Sequence, residues 1–138
     1  MSADPRPRWL FVCVENAGRS QMAEALVRML GQGRIDVVSA GSHPVGRLNV
    51  RAVAVMAELG YDLTTHGFTA LSELPAGEWD KVITMGCGDA CPFVLARSRE
   101  DWQLPDPKAM DIYAVRALRD EIRARVEGLL AQLPNACS

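Results

Sequence analysis

A chain of 138 residues, 49% apolar and 23% charged, has room for one packed domain. A formal net charge of −2 argues against nucleic acid or an anionic membrane as a partner, so any anion must be held by a local site. No apolar run reaches the length of a membrane span or a secretory core. Four cysteines in a chain with an ample core do not suggest a secreted disulfide scaffold, and reduced, chemically employed thiols in the cytoplasm fit better.

In chain order, residues 1–8 read as a polar, proline-bearing flexible tail ahead of a single domain that spans 1–138. Trp9-Leu10-Phe11-Val12 is a buried strand. It empties into Cys13-Val14-Glu15-Asn16-Ala17-Gly18-Arg19-Ser20 and then a helix over 18–31. A strand, a tight loop and a helix N-terminus make an oxyanion cradle, because the loop amides form a nest and the helix adds the positive end of its dipole. Asn16 and Gly18 are the loop residues that tolerate left-handed backbone. Arg19 offers a planar fork that matches two oxyanion oxygens, and Ser20 can donate its hydroxyl to the Cys13 sulfur. Cationic neighbours and helix N-termini favour the thiolate form of a cysteine, so Cys13 reads as a nucleophile aimed at a tetrahedral oxyanion. A buried, inert cysteine is the plain alternative.

The first helix carries Met22, Leu26 and Leu30 on one face and Gln21, Glu24, Arg28 and Gln32 on another, and ends at Gly31 and Gly33. Ile35 to Ala40 is a second strand, closed by Gly41. A second helix over 47–59 turns Leu48, Ala52, Val55 and Leu59 inward and Arg47, Arg51 and Glu58 outward. Thr64 to Pro75 is irregular, with one helical turn around Leu71. Lys81 to Met85 is a third strand, followed by the glycine-rich loop Gly86 to Pro92. A short extended piece is expected near Trp102 to Leu104. The last helix runs from an Asp111 N-cap to Leu133, with Val115, Leu118, Ile122, Val126, Leu129 and Leu133 as its core stripe. Alternating strands and helices imply an α/β domain, a parallel sheet with helices on both faces. Ligands bind beyond the C-terminal strand ends of such sheets. Cys13, Cys87 and Asp106 each follow a strand-like run, so one rim should gather all three.

Cys87 and Cys91, flanked by Gly86, Gly88 and Pro92, would lie one turn apart if that segment coils helically, near the separation a disulfide tolerates. Two buried or zinc-binding cysteines are the plain alternative for this pair. However, His43, His66 and Cys137 stand at no recognisable ligand spacing, so no metal is assigned. His43 and His66 read as surface or turn residues, and Cys137 as a surface thiol. Asp106, between Pro105 and Pro107, reads on its own as a capping acid in a turn.

The run Phe11 to Glu24 resembles the active-site segment of the arsenate reductases built on the low-molecular-weight tyrosine phosphatase fold. Likeness continues through Ser39-Ala40-Gly41, Thr84 to Pro92 and Trp102 to Pro107, nearly the whole chain. The resemblance implies a four-stranded sheet and a cofactor-free enzyme. In its terms Val14, Glu15, Asn16, Ala17, Gly18 and Arg19 hold arsenate, Cys13 attacks it, and Cys87 displaces arsenite by forming a disulfide with Cys13. Cys91 then takes over that disulfide for reduction by thioredoxin, although a small thiol such as mycothiol or glutathione could instead resolve the Cys13 adduct. Asp106 matches the general acid of the related phosphatases. Some positions depart from the pattern. Glu15 replaces a small residue, Gly18 stands where the phosphatases commonly carry a second cysteine, and Ala109 stands where a glycine usually follows. Asn16, Glu24 and Ser39 match a potassium site of some reductases, but Thr69 replaces its aspartate. The rival readings are a low-molecular-weight tyrosine phosphatase using only Cys13, Arg19 and Asp106, and a non-enzymatic oxyanion-binding or redox-sensing module. The chain shows no tyrosine-rich stretch after Pro107 of the kind those phosphatases carry.

Overall fold

The computed structural model describes residues 6–75, 77–86 and 94–133. Four parallel strands form one sheet in the order β2-β1-β3-β4: β1 (Arg8–Cys13), β2 (Asp36–Gly41), β3 (Trp79–Thr84) and β4 (Ala96–Asp101). Three α-helices accompany them: α1 (Arg19–Gly31), α2 (Val50–Ala57) and α3 (Ile112–Ala131). The two-residue period of β1 divides the core. Trp9, Phe11 and Cys13 face a cluster built with all three helices, whereas Leu10 and Val12 join Ala40, Trp79 and Val82 on the other face. Helical cover on that second face is the 3-10 turn Leu71–Glu73, whose Leu71 packs there together with Leu74. The turn expected around Leu71 is therefore present. None of the helices among the described residues is long and apolar enough to cross a membrane.

Several boundaries differ from the sequence reading. Arg8, assigned there to the tail, opens β1: its N–H donates to Asp80 at 2.8 Å and its guanidinium stacks on Trp79, 4.2 Å from the ring centroid. The fourth strand is Ala96–Asp101, not the Trp102–Leu104 piece. It lies at the sheet edge with alternating half-buried and exposed residues, so its sequence is charged and carries little apolar signal. Trp102 and Leu104 are apolar because they fill the core just past its end. Helix α2 begins at Val50 rather than 47, because the Asn49 side chain accepts from the N–H groups of Arg51 and Ala52 and caps it there. Asp111 caps α3 as expected, accepting from Ala114 N–H at 2.9 Å.

A charge clamp sets α2 against α3. Glu58 follows the C-terminus of α2, where a negative charge opposes the helix dipole. Arg116 meets it with two hydrogen bonds, 3.0 and 2.6 Å, and Arg119 adds one of 2.7 Å while also donating to the Val55 carbonyl at 2.9 Å. Hydrogen bonds from Arg116, then Arg119, lower the Glu58 pKa from 4.5 to about 2. A carboxylate held more acidic in the folded state contributes stability above its unfolded pKa and loses it as pH falls. Glu58→Gln should therefore flatten the acid limb of stability between pH 4.5 and about 2, read as the urea midpoint against pH; an unchanged limb would remove the clamp from the account.

Candidate active site

The loop between β1 and α1 is organised by where its carbonyl groups point. Six consecutive carbonyls are each taken by a donor outside the loop's inner face. Ser42 N–H donates to Cys13, His43 to Val14, Val45 to Glu15, Asn49 to Ala17 and Met22 to Gly18, at 2.8 to 3.3 Å. The Gln21 side-chain amide donates to the Asn16 carbonyl at 2.9 Å. With the carbonyls turned outward and satisfied, the amide N–H groups of Val14 to Gly18 have no acceptor among the described residues. They remain available to an anion over the Cys13 sulfur. Asn16 makes the bend in left-handed backbone (φ 53°), as the sequence suggests. Gly18 does not, with φ −134°. Its requirement is space, because a Cβ there would lie 2.8 Å from Cγ of Pro107.

The direction of each hydrogen bond behind the loop can be deduced. The Glu24 carboxylate only accepts, taking Ser39 N–H at 3.0 Å and Ser39 Oγ–H at 2.7 Å. Ser39 Oγ must then accept from Asn16 Nδ2 at 3.1 Å, and the same amide nitrogen donates to Ser20 Oγ at 2.9 Å. The Ser20 hydrogen is left for the Cys13 sulfur, 2.9 Å away. Thr69 N–H donates to Asn16 Oδ1 at 3.1 Å and fixes which way that amide faces. The second Glu24 oxygen accepts from Arg28 at 2.8 Å. At the position where a potassium site of this kind would have an aspartate the chain has Thr69, which contributes its backbone N–H to Asn16, so a carboxylate ligand is missing and this donor set does not fit the ion.

Gln21 and Glu24, grouped by the sequence on the polar face of α1, are buried, 0% and 8% exposed. The helix lies between the sheet and α3, so its polar stripe reaches the loop rather than solvent. His66, expected at the surface, has a side chain only 5% exposed. Its Nδ1 bonds Gln21 Oε1 at 2.8 Å while Tyr61 O–H meets Nε2 at 2.6 Å. Because Gln21 Oε1 can only accept, the proton sits on Nδ1 and Nε2 accepts from the tyrosine. His43 is exposed.

Arg19, nearly buried, spans to the far wall. It donates to the Leu104 carbonyl at 3.0 Å and lies 3.8 Å from Asp106 Oδ2. It also fills the place of a side chain at Gly86, where a Cβ would fall 2.5 Å from its Nη1. Asp106 has the capping role read from its turn: Oδ1 caps the 3-10 turn Pro107–Ala109 through Lys108 N–H at 3.0 Å, while Oδ2 faces Arg19. Cys13, Arg19 and Asp106 line one cleft of about 110 Å³ together with Glu15, Ala17, Gly18 and residues of the 45–49 and 107–108 segments. Cys87, Cys91 and Cys137 lie outside the described residues. The segment 42–49, which supplies four of the six carbonyl donors, is what the sequence reading missed; its only signal was position, directly after a strand that ends in glycine.

A domain of this topology with a cysteine–arginine oxyanion loop at the strand ends is a low-molecular-weight phosphatase fold. The chain belongs to the low molecular weight phosphotyrosine protein phosphatase family, whose model matches residues 8–137. A glutaredoxin arsenate reductase of Synechocystis is 37% identical over 127 residues, 90% of this chain and 96% of that protein. A solved arsenate reductase in its phosphate-binding state superposes with a TM-score of 0.84 at 35% identity, over 93% of this chain and 99% of the other. The thioredoxin-dependent arsenate reductase of Corynebacterium glutamicum matches at a TM-score of 0.77 and 33% identity, over 94% of this chain and 63% of that one.

Ser20→Ala and Glu24→Gln should each slow iodoacetamide alkylation of Cys13 at pH 7 by about tenfold, since each breaks the hydrogen-bond chain that ends on its sulfur. Equal rates in all three proteins would refute the directed chain. Burial, and secondarily Arg28, lowers the His66 pKa below 6.5, against the pull of Glu24. The unfolded chain then binds the proton more readily, so stability is lost as pH falls below 6.5. His66→Gln should weaken the fall in urea midpoint between pH 7 and pH 5, and an identical slope would remove the histidine from the acid response.

Proposed function

We propose that this protein is an arsenate reductase whose Cys13 forms a covalent adduct with arsenate in the nest of Val14 to Arg19. The observation that carries the reading is the ring of unbonded amide N–H groups over a sulfur already hydrogen-bonded to Ser20, at the floor of a small cleft. The arsenate reductase relatives support the choice of oxyanion. No aromatic side chain lines the cleft among the described residues, which favours an inorganic oxyanion over a phosphotyrosine.

In this reading the Cys13 sulfur attacks arsenic and an oxygen leaves as water, with its proton supplied from Asp106. Arg19 and the loop amides stabilise the charge that gathers on the remaining oxygens. Cys87 then attacks the Cys13 sulfur and the S–As bond breaks. Its electron pair stays with arsenic, which departs as arsenite, leaving a Cys13–Cys87 disulfide. Cys91 attacks Cys87, freeing Cys13, and the Cys87–Cys91 disulfide is reduced by the dithiol of thioredoxin. Gly86, which precedes Cys87 in the chain, lies against Arg19. The thioredoxin-dependent relative supports the choice of donor.

Cys13→Ser should abolish arsenate reduction. Cys87→Ser and Cys91→Ser should each stop multiple turnover with thioredoxin, followed as NADPH consumption with thioredoxin reductase, while leaving any aryl-phosphate hydrolysis in place. Full turnover in both single variants would exclude the relay.

A further inference from the structure

The oxyanion loop carries an acid in its middle. Glu15 lines the cleft with Cys13 and Arg19, and a carboxylate there repels the anion its own backbone N–H is placed to bind. Its Oε2 lies 3.3 Å from Nζ of Lys108, which stands on the opposite wall, two residues past Asp106, and lines the same cleft. Each is the other's only ion-pair partner among the described residues. The second acid of the cleft, Asp106, already has a cation in Arg19. The pair therefore crosses the mouth from the oxyanion loop to the acid-bearing turn. The Lys108 side chain is 70% exposed, and such pairs contribute little to folding. The long-range field is a different matter: it requires only that a positive charge stay within a few ångströms of the carboxylate.

We propose that Lys108 is a specificity-determining residue that acts through Glu15: it cancels the loop carboxylate, so that the nest accepts a doubly charged tetrahedral oxyanion. This rests on the anion-binding part of the function proposed above and is independent of the thiol relay.

The test is a double-mutant cycle read by calorimetric titration of inorganic phosphate into the full, reduced chain at pH 8 and low salt, with thermal midpoints as the folding control. Lys108→Met should weaken phosphate binding by about fivefold, the scale of one unscreened charge several ångströms away. Glu15→Gln should tighten it, and the double variant should return to within about twofold of the wild type. Added salt should shrink the Lys108→Met effect. A double variant as weak as Lys108→Met would overturn the proposal, because the lysine would then act on the anion directly; so would a Lys108→Met protein that binds like the wild type. Failure of the wild type to bind phosphate would sink the anion cleft itself, and the charge pair with it.

Discussion

Six outward carbonyls are the constraint on which this structure depends. A loop that is to present its N–H groups to an anion must turn every carbonyl the other way, and buried carbonyls need donors. Here the donors come from the segment after β2, from the start of α1 and from one glutamine side chain. This requirement explains why β2 pairs with β1 through Cys13 and Gly41, since that register delivers residues 42–49 alongside the loop. It also explains Gly41, where a Cβ would stand 2.7 Å from the Val14 carbonyl. The placement of Asn49 follows as well: its N–H serves Ala17 while its side chain starts α2. The clamp on Glu58 at the other end of α2 holds that helix against α3 and so helps to keep Asn49 in place.

A second layer governs the direction of the hydrogen bonds. Every member of the chain from Glu24 through Ser39, Asn16 and Ser20 has its donor and acceptor roles forced by its neighbour, starting from a carboxylate that cannot donate. Ser20, which accepts from Asn16, has the Cys13 sulfur as its other hydrogen-bond partner. Gln21 does similar work on the other side, joining Asn16 and Gly67 to the His66–Tyr61 pair. Burial makes this arrangement firm, because each unmet group would carry a desolvation cost. No buried side-chain nitrogen or oxygen among the described residues is left without a partner. The far wall is held differently. Arg19 reaches a carbonyl and a carboxylate there, while Glu15 and Lys108 meet across the mouth in solvent. The inner half of the cleft is thus fixed by hydrogen-bond geometry and its rim is tuned by charge.

By itself the sequence determined the alternating α/β order, the sheet buried on both faces, the cysteine loop at a strand end and the identity of its arginine and serine. These are local signals: apolar period, glycine and asparagine in the bend, and an N-cap at Asp111. Tertiary structure alone decided the rest. Gln21, Glu24 and His66 are polar residues whose burial depends on what packs over them, and periodicity can only group them as a polar face. The edge strand Ala96–Asp101 is charged because its partner lies on one side only, so nothing in its composition announces a strand. The segment 42–49 matters through backbone N–H groups, which every residue except proline possesses, and its contribution is therefore invisible until the fold sets those groups opposite the carbonyls of the loop.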